Sequence, residues 1–176
     1  PEVRAAHDDL PRQALAGEPI TVFGDGPRFS FTPSNPWMAV GWREADQITL
    51  DAGEHLNKKN IHFVPRRVSK INPDVNSVET ENGDVHAYDY LLICTGPRLA
   101  FEEVPGTGPQ GGFTHSICTT PHAGEAWKSY QEFLKNPGPI IVGAVQGASC
   151  FGPAYEFIMI LDADLRKRKL RDKVPM

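Results

Sequence analysis

Three cysteines in 176 residues, an odd number with no close pairing, exclude the disulfide framework of a small secreted domain. No CxxC spacing and no Cys/His cluster suggests zinc or another metal. No apolar run approaches the length of a membrane span, and no signal peptide is visible. Positive charge is also in short supply. Eighteen Lys and Arg face 22 Asp and Glu, giving a net charge of −4, so the broad basic surface of a general nucleic-acid binder is missing. The one basic run, "RKRKLRDK" (Arg166–Lys173), reads as the solvated end of a helix, where the dipole favours cations. Internal repeats and low-complexity tracts are absent. An initiating methionine is absent too, and the chain stops at "DKVPM" where another strand could start, so the expectation is a piece of a longer protein.

What is present is ordinary for a globular chain: 40% apolar and 23% charged residues. The length fits one medium domain or pieces of two. "PITVF" (Pro19–Phe23) has the pattern of a short buried strand, ended by the turn "GDG" (Gly24–Gly26). A helix is expected before it, from "EVRAAHDDL" onward, interrupted by Pro11. After a loop rich in Pro and aromatics (Pro27–Trp42), Glu44–Asn60 reads as an amphipathic helix with Ile48, Ala52, His55 and Leu56 on one side. Short strands are expected at Ile61–Val64 and Arg67–Ile71. Val78–Thr80 and Val85–Tyr88 flank "ENGD" (Glu81–Asp84), a strong hairpin signal. "YLLICTG" (Tyr90–Gly96) and Pro139–Val142 read as buried strands, and Pro121–Leu134 and Pro153–Arg168 as helices. Strands alternating with helices predict an α/β layer on a parallel sheet.

"GAVQGASCFGPAYEF" (143–157) poses the chemical question. It follows an apolar strand pattern and opens a helix, like the glycine-rich turn of a dinucleotide site. Such a turn needs glycines so that backbone N–H groups can approach a pyrophosphate. Here Val145 holds the second glycine position and Ala148 the third. Cys150 stands near the helix start, where the dipole favours a thiolate.

Four stretches in order, "FTPSNPWMAVGW" (31–42), "LLICTGPRLAFEEVPG" (91–106), "SICTTPHA" (116–123) and "GASCFGPAYEF" (147–157), closely resemble the bacterial sulfide:quinone oxidoreductases, FAD-dependent members of the pyridine nucleotide-disulfide oxidoreductase superfamily. The resemblance runs from about Ile20 to the last residue. It implies an FAD/NAD(P)-binding Rossmann-like α/β fold with an inserted β-hairpin, truncated. Residues 1–135 would be the remainder of the FAD domain, and 136–176 the start of a second nucleotide-like domain. The GxGxxG fingerprint would precede this chain, and a third cysteine and the membrane-attaching region would follow it. The chain by itself is therefore expected to hold little FAD and to be inactive.

The resemblance also implies roles. Cys150 matches the redox cysteine facing the flavin, and Cys118 a second, ancillary thiol near the sulfur exit. Glu156 and His122 match polar residues that relay protons, a task suited to an imidazole near neutral pH. Cys94, inside the expected strand, reads as core packing. For FAD, the implied contacts are Gly24 and Asp25 at the ribose, Val68 at adenine, Pro33, Ser34 and Asn35 beside the ring, and Thr95, Gly96 and Pro97 at a strand end. Asp25 stands one residue later than the usual acid. Sulfide would attack a bridge between Cys150 and the third cysteine, electrons would pass through FAD to a membrane quinone, and sulfur would leave as polysulfide. The implied protein is peripheral on the bacterial cytoplasmic membrane, binds no nucleic acid and could form a homo-oligomer. Two rivals stand beside this reading: the flavoprotein subunit of a flavocytochrome c sulfide dehydrogenase, and a non-catalytic structural domain. A type 2 NADH dehydrogenase shares the fold, but Val145 and Cys150 argue against it.

Overall fold

The structure, a computed structural model, describes Gly17 and residues 19–148 and 150–176. The helix expected over the first residues lies outside that range. The described chain forms two compact units that interleave in sequence: residues up to Phe29 with Leu50–Pro97, and Ser30–Thr49 with Arg98–Met176.

In the first unit, β1 (Ile20–Phe23) lies parallel to a strand 41 positions on, Ile61–Val64, with Ile20 opposite Ile61 and Phe23 opposite Val64. Parallel neighbours need a long crossover. Here the chain leaves through β2 (Arg28–Ser30), passes through the second unit and returns by β3 (Thr49–Asp51), which pairs with β2. Helix α1 (Asn35–Ala39) belongs to that excursion, and α2 (Ala52–Asn57) comes after it. The Asp51 side chain caps α2 by accepting from Glu54 N–H at 2.8 Å. The parallel strand Ile61–Val64 is β4, and an antiparallel meander of β5 (Val68–Asn72), β6 (Ser77–Thr80) and β7 (Val85–Ala87) succeeds it. The expected turn closes β6 onto β7. Gly83 takes φ +88°, and Thr80 N–H donates to Asp84 O at 2.9 Å.

Four sequence expectations need correction. The single helix over Glu44–Asn60 is instead a 3₁₀ turn (Ala45–Gln47), strand β3 and the short α2. Glu44 N–H donates to Gln47 Oε1, which closes the first turn, while Asp51 caps a new helix, so two local caps override the shared apolar face. Tyr90–Gly96 and Pro139–Val142 belong to no helix or strand. An apolar run becomes a strand only where a neighbour supplies ladder partners. Among the described residues, these two segments make a single backbone hydrogen bond, from Ile140 N–H to Pro175 O at 2.9 Å. Cys94 is accordingly exposed rather than packed in a core.

The second unit is helical. Its long elements are α3 (Thr120–Lys135) and α4 (Gly152–Lys167), each 16 residues. Val40, Tyr130, Ile160, Leu161, Leu165 and Val174 form the main buried cluster, with Trp37, Trp42 and Trp127 packed against it. Ala39, Ala123 and Ala126 form a second cluster joined by Met38 and Phe157. Small residues at this contact let α1 approach α3 closely. Gly41 comes next at φ +77°, where an added Cβ would lie 2.5 Å from the Trp127 indole.

Candidate active site

The sequence-predicted chemistry gathers at the starts of α3 and α4. Thr119 caps α3, its hydroxyl accepting from His122 N–H at 3.3 Å, and Pro121 fits the first turn, where its missing N–H costs nothing. Cys118 immediately precedes that cap, and its N–H donates to Ser116 Oγ at 3.2 Å. Gly152 opens α4 after the N-cap Phe151, again with Pro in the first turn. Cys150 immediately precedes this cap. The two thiols thus hold the same position, one residue before the N-cap of a long helix.

The helices also run in the same direction. Early residues lie near early ones, since Phe157 of α4 packs against the cluster that Ala123 and Ala126 of α3 form with Ala39 of α1. Later residues meet later ones, since Tyr130 Oη donates to Asp164 Oδ2 at 2.9 Å. Both N-termini, with their positive dipole ends, therefore lie at one end of this unit, and Cys118 and Cys150 lie there with them. Both thiols are exposed and free of disulfides. Glu156 is exposed on the second turn of α4, and His122 is half-buried on the first turn of α3 with its ring 5.7 Å from that of Phe101.

Asn35 reaches this end from α1. It is fully buried, at 0% exposure, and its Oδ1 accepts from Thr120 Oγ1 at 3.2 Å. Among the described residues, its buried Nδ2 has no hydrogen-bond partner, and neither has the buried Nδ1 of His122. Such orphans cost about 1–3 kcal/mol each, so they mark where another molecule's polar groups would fit. Ser34 is buried beside Asn35, while Pro33 is exposed.

Asp164 anchors the arrangement from below. Its buried carboxylate accepts from Trp42 Nε1 at 2.8 Å, from Tyr130 Oη, and from Arg168 Nε at 2.6 Å. Burial, reinforced by this carboxylate, pushes the Tyr130 hydroxyl well above the ordinary phenol range. The basic run is more than a solvated helix end. Arg166 and Arg171 both bind Asp162, Arg168 binds Asp164, and the two arginines hold the Asp162 carboxyl below the usual range.

The remaining predicted residues, Gly24, Asp25, Val68, Thr95, Gly96 and Pro97, belong to the first unit. Gly24 N–H continues the parallel ladder, donating to Val64 O at 3.1 Å. Asp25 is exposed and ion-paired with Arg67. Val68 begins β5, and Thr95–Pro97 are exposed, with Gly96 at φ +71° and open space around it.

A sulfide-quinone reductase of Aquifex aeolicus (strain VF5) is 46% identical to this chain over 157 residues, 89% of the chain and 36% of that protein. The chain is a relative of the sulfide:quinone oxidoreductases. The crystal structure of the A. aeolicus sulfide:quinone oxidoreductase superposes with a TM-score of 0.85 at 44% identity, covering 94% of this chain and 38% of that one. The mitochondrial sulfide:quinone oxidoreductase of Mus musculus is 25% identical over 92% of the chain and 36% of its own length. This chain therefore spans little more than a third of these sulfide:quinone oxidoreductases. A ferredoxin reductase of Rhodopseudomonas palustris, at 16% identity and a TM-score of 0.59, shares the fold alone. No family model matches. The fold is thus the α/β, Rossmann-like one of the FAD- and NAD(P)-binding oxidoreductases.

Sequence reasoning missed Thr120 and Asp164. The "TTP" start of α3 offered a signal for the first, since a second threonine beside a capping one has a hydroxyl to spare. Asp164 sits in an otherwise regular helix, and nothing local distinguishes it from an exposed acid.

Proposed function

We propose that this chain is part of a flavoprotein that oxidises sulfide to polysulfide or sulfur and passes the electrons to a membrane quinone. The observation that carries the reading is the 46% identity to a sulfide-quinone reductase across 89% of the chain. Two exposed thiols at the shared end of two parallel helices support it. Because the chain spans about a third of its relatives, it would act within a larger polypeptide, at the face of the bacterial cytoplasmic membrane. Among the described residues no helix is long and apolar enough to cross a membrane.

Sulfide is the nucleophile: it would attack the bridge between Cys150 and the third cysteine, one S–S bond forming as another breaks, and the place of Cys150 before an α-helix is suited to the thiolate charge that this releases. Hydrogen sulfide gives up two protons and two electrons as its sulfur joins a sulfur chain on that cysteine. Glu156 and His122, on the second turn of α4 and the first turn of α3, would take the protons. Cys118 handles the lengthening chain as it leaves. FAD, when bound, supplies the two-electron acceptor between sulfide and quinone. Within the second unit, the orphaned Asn35 amide would suit the polar edge of a flavin ring, with Pro33 and Ser34 beside it. Within the first, Thr95–Pro97 would offer open backbone, Gly24 and Val68 would meet the adenosine, and Asp25 would reach the ribose only by sharing its carboxylate with Arg67.

In the holoenzyme, Cys150→Ser is expected to abolish sulfide-dependent quinone reduction, followed by quinone absorbance. Cys94→Ser, on an exposed segment of the other unit, should keep most of it. Near-normal turnover of the Cys150 variant would refute the assignment.

A further inference from the structure

We infer that Thr120 is a positioning residue that aims the buried amide of Asn35 at the cofactor, an inference that rests on the flavin reading above. Asn35 is fully buried and satisfies only one end of its amide within the described protein. Thr120 Oγ1, 3.2 Å away, donates to Oδ1, and Nδ2 is left with two N–H groups and no acceptor among the described residues. A second orphan, His122 Nδ1, stands two residues after Thr120 on the first turn of α3, while the third among the described residues, His86 Nε2, lies on β7 of the other unit. Thr120 is well placed to hold the amide. It is the first residue of a 16-residue helix whose next turn, through Ala123, packs against α1. The backbone under the hydroxyl is therefore held by the α1–α3 contact, and the amide is tied to it through that hydroxyl. The ligand atom that answers Nδ2 must be an acceptor, and the pyrimidine edge of an isoalloxazine ring supplies carbonyl oxygens of this kind. A donor held in place before the cofactor arrives contributes to affinity because its ordering cost is already met by the fold. It also perturbs the electronic transitions of the ring that it touches.

The test uses the complete flavin-loaded polypeptide, stripped of FAD and titrated with it by flavin fluorescence, with the visible flavin spectrum recorded at saturation. Thr120→Val keeps the shape and removes the hydroxyl. It is expected to weaken FAD binding about tenfold and to shift the visible band, whereas Thr120→Ser should match the parent. In an Asn35→Ala background, Thr120→Val should cause no further loss, because the hydroxyl acts only through the amide. A purely structural threonine would instead lower the melting temperature of the apoprotein and add its effect to that of Asn35→Ala. Wild-type affinity in Thr120→Val, additive losses in the double variant, or failure of Thr120→Ser to match the parent would each overturn the inference. A complete protein that takes up no FAD at all would overturn the flavin reading itself, which is a different outcome. Should Thr120→Val fail to fold, comparing Thr120→Ser with Thr120→Ala in the same titration decides between the same alternatives.

Discussion

Asp164 accepts three hydrogen bonds while almost wholly buried, and Asp164→Ala would strand the Trp42 indole N–H and the Tyr130 hydroxyl and release Arg168. Breaking such a buried set costs about 3–5 kcal/mol, with the lower end expected here because Arg168 can turn to water. Urea unfolding of the variant measures it. Burial of Tyr130, reinforced by this carboxylate, gives stability a pH dependence on the alkaline side. Folded Tyr130 holds its proton to higher pH than an unfolded tyrosine, which ionises near about 10. Above that pH the unfolded chain sheds a proton that the folded chain keeps, so stability should fall as pH rises. Unfolding midpoints between pH 8 and about 11 should show the decline, and Tyr130→Phe should flatten it. At this scale the sequence was legible where the chemistry is local. A cysteine before a Gly-Pro helix start declares itself, whereas the environments of Asp164 and Cys94 depend on partners far along the chain.

Helix α3, helix α4 and the Asn-Gly turn appear within a residue or so of their expected limits, because caps, prolines and apolar periodicity agree there. The stretch from Glu44 to Asn60 failed because two capping acids, Glu44 and Asp51, each begin an element of their own. The segments at Tyr90–Gly96 and Pro139–Val142 have strand composition, but composition cannot supply a neighbour. The exit of the chain from α1 depends on Gly41. Gly41→Ala would place a methyl into the Trp127 ring and force an L-residue into a left-handed backbone. Strain and overpacking together should cost at least about 2 kcal/mol. Gly138→Ala, with nothing within 4 Å of the added atom, is the matched control and should leave the thermal midpoint nearly unchanged.

Taken whole, the molecule leaves much apolar surface in contact with water. Tyr90 is 96% exposed and Ile93 61% in one unit, and Ile141 is 96% exposed in the other. Exposed apolar segments without ladder partners among the described residues invite pairing between molecules. The isolated chain is expected to self-associate as its concentration rises, by light scattering or sedimentation. Ile93→Lys and Ile141→Lys should each reduce that tendency without lowering the unfolding midpoint. A chain that stays monomeric at high concentration would show that these segments are covered in solution.

The interleaving of the two units has a consequence for synthesis on the ribosome. Trp42 meets Asp164 only after 122 further residues have been made. At about 5–20 residues per second, the aromatic stretch around Trp37 and Trp42 waits roughly 6–24 s for the helices that bury it. The nascent polypeptide therefore carries this aromatic segment unprotected while the next 122 residues are made. Its yield in a cell should depend on translation speed and on trigger-type chaperones far more than its final stability would suggest.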